Sequence, residues 1–100
     1  MTETIYTTQQ IKSILQPVFK NYNIKKAILF GSYAKGIADK QSDVDILVDS
    51  GLKGLAFFGL LEDVTTSLDK NIDLIDVTQV TRNSRIDTEI ANTGVLIYGQ

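Results

Sequence analysis

The sequence predicts an α+β fold, in which helices flank a mixed β-sheet within a single small domain. One hundred residues leave room for one modest core. Helical and strand patterns alternate along the chain in the order α-β-(short α)-β-α-β-α-β. The first two predicted strands are joined by too few residues for a regular helical crossover, so we expect them to pair antiparallel.

The first helix is predicted over residues 8 to 22, where apolar residues recur every three to four positions. Thr7 or Thr8 is available as its N-cap. Pro17 lies inside this pattern and lacks a backbone N–H, so it predicts a bend or a local break.

Two longer helices and four strands follow from the remaining patterns. A helix over residues 55 to 68 contains Gly59, which predicts close packing against the sheet to offset its low helix propensity. A last helix is expected to begin at Ser84 and to end at Gly94. Short apolar runs predict strands at residues 26–30, 44–48, 71–77 and 95–98, and a short helix or turn is expected at 32–37.

Composition narrows the chemistry that is available. Hydrophobic residues make up 43% and charged residues 22%, as in ordinary globular proteins. The net charge of -2 and the lack of a Lys/Arg run argue against a nucleic-acid partner. The sequence has no Cys and no His, which excludes disulfides, thiolate zinc sites and histidine acid/base chemistry. Carboxylates are therefore expected to do the chemistry.

The N-terminal sequence and the hydropathy pattern give no sign of export or membrane insertion. Residues 1 to 8 lack a basic start followed by an apolar run. No stretch approaches the ~18 apolar residues of a membrane span. We therefore expect a cytoplasmic protein with no membrane partner.

A Gly-Ser pair ends the first predicted strand. Gly31 lets a phosphate approach the backbone without a Cβ in the way, and Ser32 adds a hydroxyl donor at the start of the following helix. Taken alone, the pair is more typical of a strand-ending turn with a helix cap.

Two aspartates one residue apart open the second strand. Asp43 and Asp45 lie on the same face of an extended strand, about two rises of ~3.3 Å apart. An isolated Asp-x-Asp is more often a solvated strand end, but this pair precedes the apolar run Ile46 to Val48. Charge beside an apolar strand needs a cation or a partner, and oxygen-only ligands suit magnesium.

A third carboxylate would complete a two-metal site. Asp73, near the start of the third predicted strand, is our candidate, because a neighbouring strand could bring it beside the pair. Asp49 and Asp76 are the rivals, and Asp39 is better explained as a turn residue.

The motif Gly-Ser-Tyr-Ala-Lys-Gly at residues 31–36, followed by Ser-Asp-Val-Asp at 42–45 and a later strand aspartate, resembles the minimal nucleotidyltransferase (MNT) family of the polymerase beta superfamily. Enzymes of that family transfer a nucleoside monophosphate from an NTP to a hydroxyl. The resemblance implies a nucleotidyltransferase-like sheet that binds ATP and Mg²⁺. It also implies roles for six residues: Asp43, Asp45 and Asp73 as metal ligands and catalytic acids, with Asp73 as the base, and Gly31, Ser32 and Lys35 at the triphosphate.

Lys35 departs from the family pattern, which usually has arginine at this position. Lysine keeps the charge but loses the bidentate fork that grips phosphate. A solvated loop lysine is an equal alternative. Arg82 and Arg85 are better explained as surface charge than as phosphate contacts.

Small members of this family are often antitoxins of an HEPN-domain ribonuclease toxin, and some add AMP to a toxin tyrosine. The resemblance therefore implies AMP transfer from ATP to a partner tyrosine, within a homo- or hetero-oligomer. A non-catalytic binding antitoxin is the alternative, with Tyr33, Phe57 and Tyr98 as contact candidates that core packing explains better. Transfer to a small hydroxylated molecule such as an aminoglycoside is a weaker alternative, because no second domain is available to build its pocket.

Overall fold

A computed structural model describes residues 3–99 of the chain, so the expected domain limits at residues 1 and 100 lie outside the described part. Every predicted helix and strand is present, and one 3-10 helix at Val77–Gln79 was not predicted. The elements are α1 (Thr8–Asn21), β1 (Lys26–Phe30), α2 (Gly31–Lys35), β2 (Val44–Asp49), α3 (Leu55–Leu68), β3 (Ile72–Asp76), α4 (Arg85–Thr93) and β4 (Val95–Gly99).

The four strands form one mixed sheet in the order β3-β2-β1-β4. β1 pairs antiparallel with β2 and with β4, which confirms the predicted antiparallel pair. β2 pairs parallel with β3, and α3 provides the connection that a parallel pair requires. The α+β class predicted from the sequence is therefore confirmed.

Strand side chains alternate between two faces, and one face builds the core. α1 and α3 pack on this face, where the fully buried core side chains include Ile11, Leu15, Phe19, Leu29, Ile46, Leu60 and Val64. The opposite face carries the alternate residues of the strands, and α4 contacts β1 and α2. Functional side chains on that second face are held by a sheet whose other side is fully packed.

Helix α1 begins with a capping box and runs through its proline. The Gln10 N–H donates to Thr7 Oγ1 at 3.1 Å, and the Thr7 N–H donates to Gln10 Oε1 at 2.8 Å. The break considered at Pro17 is wrong, because the helix is continuous from Thr8 to Asn21. Pro17 and Ser13 are exposed, so water can satisfy the carbonyl that the proline leaves free.

Gly59 does pack closely, but against α1 and not against the sheet as predicted. A Cβ at Gly59 would lie 3.2 Å from the Tyr22 hydroxyl oxygen. That hydroxyl donates to Asp63 Oδ2 at 2.7 Å, one turn further along α3. The small residue thus makes room for a hydrogen bond between α1 and α3.

Helix α4 has the ends that the sequence predicts. The Asp87 N–H donates to Ser84 Oγ at 3.2 Å, and Gly94 is the C-cap. The side chains of α4 are at most partly buried, so this helix covers the second face of the sheet only loosely. Across residues 3–99, no helix is both long enough and apolar enough to cross a membrane.

Candidate active site

Three strands contribute to a single row of residues at one edge of the second face. Phe30 at the end of β1 is the register partner of Asp45 on β2, and Asp45 is the register partner of Asp73 on β3. Partners directly opposite each other in a sheet point to the same face. The expectation that β3 brings Asp73 beside Asp45 is therefore confirmed.

The Gly31 turn lies against the same carboxylate. Gly31 is buried and has a φ of +73°, which L side chains rarely adopt. A Cβ at this position would collide with Asp45 Oδ2. Glycine is therefore required both by the backbone conformation and by its contact with Asp45, and Ser32 follows at the first turn of α2.

Asp45 is partly buried among other acids. Burial, together with the neighbouring charges of Asp73, Glu89 and Asp43, raises the pKa of Asp45 from 3.8 to about 6. Because ionisation of Asp45 is unfavourable in these surroundings, a nearby cation would strongly stabilise its ionised form. The electrostatics of the row thus fit a site that binds a positively charged group.

Asp43 precedes β2 and is exposed, as is Asp73, so both can be reached by a ligand from solvent. Within residues 3–99, no three acidic side chains already stand close enough together to form a metal-binding group. Asp45 and Asp73 are adjacent through the sheet register, whereas Asp43 acts on Asp45 through its charge. A metal site shared by all three aspartates stays a prediction.

Helix α4 adds two charged residues that the sequence did not assign to the site. Arg85 and Glu89 line a cavity of about 410 Å³ together with Asp45 and Asp73. The sequence carried a weak signal for Glu89, since it lies three residues after Ile86 on a helical stripe. Its position beside Asp45 depends on how α4 packs across the sheet, which spacing alone does not specify.

Lys35 is the last residue of α2, and its Nζ lies 3.9 Å from Glu89 Oε1. The sequence left two interpretations of Lys35 open, a contact with phosphate and a solvated loop lysine. In the structure this lysine forms an ion pair beside Asp45 and Asp73, which we call the aspartate row, and part of its side chain is open to solvent.

Asp49 and Asp76, the alternatives to Asp73 as the third carboxylate, lie away from the Asp45 site. Asp76 is buried and accepts hydrogen bonds from Ser50 and Thr78, which makes it a structural residue. Asp49 shares the face of Asp45 but lies at the far end of β2, opposite Lys26. Asp39 accepts from the Gln41 N–H at 2.8 Å, as expected of a turn residue.

The three aromatic residues considered as partner contacts, Tyr33, Phe57 and Tyr98, belong to the core, which confirms the interpretation preferred from the sequence. Tyr33 is buried, and Phe57 and Tyr98 are partly buried against the core cluster. Other apolar residues are exposed instead, most of all Leu55 at 88%, Ile37 at 70% and Phe58 at 64%. Leu55 and Phe58 lie together on the first turn of α3.

Known proteins similar to this chain point to one family of enzymes. A protein of Methanocaldococcus jannaschii whose name proposes protein adenylyltransferase activity is 37% identical over 75 residues, which is 69% of this chain and 87% of that protein. A second protein of the same organism, with the same type of name, is 35% identical over 77 residues, or 69% of this chain and 77% of its own length.

Solved structures show the same fold. A chain from the crystal structure of a toxin-antitoxin with AMP-PNP has a TM-score of 0.75 at 22% identity, covering 89% of this chain and 73% of that one. A chain from the tri-AMPylated Shewanella oneidensis HEPN toxin in complex with an MNT antitoxin has a TM-score of 0.70 at 20% identity, covering 94% and 74%. Residues 9–100 match the family model of polymerase beta nucleotidyltransferases. The chain belongs to the polymerase beta nucleotidyltransferase family and is a nucleotidyltransferase.

Proposed function

We propose that this protein transfers AMP from ATP to a hydroxyl group of a partner protein, with Mg²⁺ bound at the aspartate row. The observation that carries the proposal is the alignment of Asp45 and Asp73 on adjacent strands, directly beside the Gly31 turn. The relatives named for protein adenylyltransferase activity support AMP as the transferred group and a protein as the acceptor.

Gly31 and Ser32 bind the triphosphate. Gly31 sets the turn that brings the start of α2 against Asp45, and the half-buried Ser32 has a hydroxyl that can donate to phosphate oxygens. Lys35, one turn further along α2, supplies a positive charge that can reach the same phosphates. These residues hold the α-phosphorus in place for attack without contributing a nucleophile.

Oxygen-only ligands and the raised pKa of Asp45 fit a magnesium site formed by Asp43, Asp45 and Asp73. Bound Mg²⁺ would neutralise phosphate charge and lower the pKa of the acceptor hydroxyl. Asp73 is exposed at the mouth of the site and accepts the acceptor proton. The acceptor oxygen forms a bond to the α-phosphorus as the bond to the β-phosphate oxygen breaks, which releases pyrophosphate.

We further propose that the acceptor is a tyrosine of an HEPN-type toxin and that the protein is the antitoxin of that toxin. The toxin-antitoxin complexes that share its fold support this partner. Leu55 and Phe58 offer an exposed apolar contact on α3. AMPylation would then occur in the cytoplasm, where ATP is available.

The test combines the purified protein with ATP, Mg²⁺ and the product of the adjacent gene, followed by intact-mass measurement of both chains. We expect AMP-sized increments on the partner, and none with Asp73→Asn. Asp49→Asn, which removes the rival aspartate at the far end of β2, is the matched control and should retain activity. An equal yield of product with Asp73→Asn would refute the role of that residue.

The exposed Leu55 and Phe58 also favour a second candidate function, in which the protein neutralises its partner by binding alone. A stable complex without any mass increment, formed equally well by an Asp43→Ala/Asp45→Ala variant, would support this alternative. It would also contradict the proposed transfer of AMP.

A further inference from the structure

An ion pair joins the two helices that border the aspartate row. Lys35 Nζ, at the C-terminal end of α2, lies 3.9 Å from Glu89 Oε1 on the second turn of α4. Because α2 begins at Gly31 and is a single short turn, Lys35 lies within one turn of the proposed triphosphate site. The pair therefore links α4 directly to the nucleotide-binding turn.

Glu89 also faces the acidic side of the cavity. It lines the same space as Asp45 and Asp73, and its charge contributes to the raised pKa of Asp45. Like charges that line the same cavity repel each other. In the free protein, Lys35 is the cation that the structure places against Glu89 and that offsets part of this repulsion.

A bound triphosphate would compete with Glu89 for Lys35. A triphosphate carries more negative charge than one carboxylate. A lysine ammonium is a point charge without the fixed fork of arginine, so it can change partners without a geometric constraint. The Lys35 and Glu89 side chains are 43% and 32% exposed, so the ion pair is weak enough to exchange. The same triphosphate would repel the carboxylate of Glu89.

We propose that Glu89 is a positioning residue that holds Lys35 in the free protein and releases it to the phosphates when nucleotide binds. This inference rests on the proposed function in one respect: it requires a nucleotide at Gly31 and Ser32. Glu89 then lowers nucleotide affinity, because its contact with Lys35 must break first. Release of the pair also loosens the attachment of α4 to α2 beside the cavity.

The test is a calorimetric titration with Mg²⁺ and a non-hydrolysable ATP analogue. We expect Glu89→Gln to tighten binding by about two- to fivefold, the range that corresponds to a partly exposed ion pair. Lys35→Met should weaken binding. In the Lys35→Met background, Glu89→Gln should change the affinity less than it does in the wild type.

Two further variants control for fold and charge. Glu62→Gln removes an acid from α3 on the other side of the sheet, and it should bind the analogue like the wild type. Glu89→Asp keeps the charge but shortens the side chain that reaches Lys35, and it should tighten binding by less than Glu89→Gln. This variant keeps the test valid if Glu89→Gln does not fold.

The outcomes separate this inference from the proposed function. A wild-type protein that fails to bind the analogue would contradict both. Normal wild-type binding with unchanged or weakened binding by Glu89→Gln would contradict only the release of Lys35. An equal effect of Glu89→Gln with and without Lys35 would also overturn it, because the effect would then be a general charge repulsion.

Discussion

Gly31→Ala tests whether the turn at Gly31 and strand β2 are packed as one unit. Alanine at a φ of +73° costs about 1–2 kcal/mol in backbone strain. Its Cβ would also collide with the Asp45 carboxylate, and forced overlap of this kind typically costs another ~1–3 kcal/mol. We expect the free energy of unfolding to fall by about 2–5 kcal/mol in total.

A second substitution divides this loss into its two parts. Asp45→Ala removes the colliding atoms and leaves only its own Cβ, which would lie 3.5 Å from the new Cβ at residue 31, an ordinary contact. In the Asp45→Ala background, Gly31→Ala should therefore cost only the backbone strain of about 1–2 kcal/mol.

Urea unfolding of the four proteins, followed by circular dichroism, gives the coupling energy of the two sites. We expect a coupling of about 1–3 kcal/mol, well above the few tenths found for independent sites. If the effects of the two substitutions simply add, the contact between Gly31 and Asp45 is not the reason for the glycine, and our account of this turn is wrong.

Three other variants have effects that follow from the structure. The raised pKa of Asp45 means that stability falls as pH rises from 3.8 through about 6. Without metal, Asp45→Asn should therefore stabilise the fold by about 1–2 kcal/mol at pH 8, after discounting for partial exposure, and by almost nothing at pH 4. Thermal unfolding in EDTA at both pH values measures this difference. Burial opposes ionisation of Asp76, but hydrogen bonds from Ser50 and Thr78 outweigh burial and lower the pKa of Asp76. Asp76→Ala should therefore cost about 2–3 kcal/mol of stability at pH 7, and this loss should shrink as pH falls below 3.8. An unchanged urea midpoint at pH 7 would contradict this prediction. Leu55→Ser with Phe58→Ser should leave stability within about 0.5 kcal/mol and weaken the complex with the proposed partner at least ~tenfold in a binding titration. Equal affinity would exclude this surface as the contact.

Local patterns predict much of this fold because each element agrees with its own sequence signals. The caps at Thr7 and Ser84 and the apolar stripes of α1 and α3 depend on residues a few positions apart, and the structure confirms them. The register that sets Asp73 opposite Asp45 could be anticipated, because both residues begin apolar strands that belong in one sheet.

The sequence could not predict features that depend on how helices pack. Gly59 makes room for Tyr22 and not for the sheet, because the partner of a helix glycine is decided by tertiary packing. Glu89 joins the site only because α4 crosses the second face of the sheet near β1. The exposure of Leu55 and Phe58 likewise depends on which face of α3 meets the core.

The parallel pairing of β2 with β3 has a consequence for the order in which activity arises during folding. β1 and β2 pair through a short connection, whereas β3 is joined to β2 by a longer connection that contains α3, so we expect β3 to pair later. Because side chains alternate along a strand, a slip of one residue would turn Asp73 away and bring Ile72 or Leu74 into its place. Recovery of nucleotidyl transfer during refolding would therefore report the late, long-range step of assembly, while the helical signal would return before it.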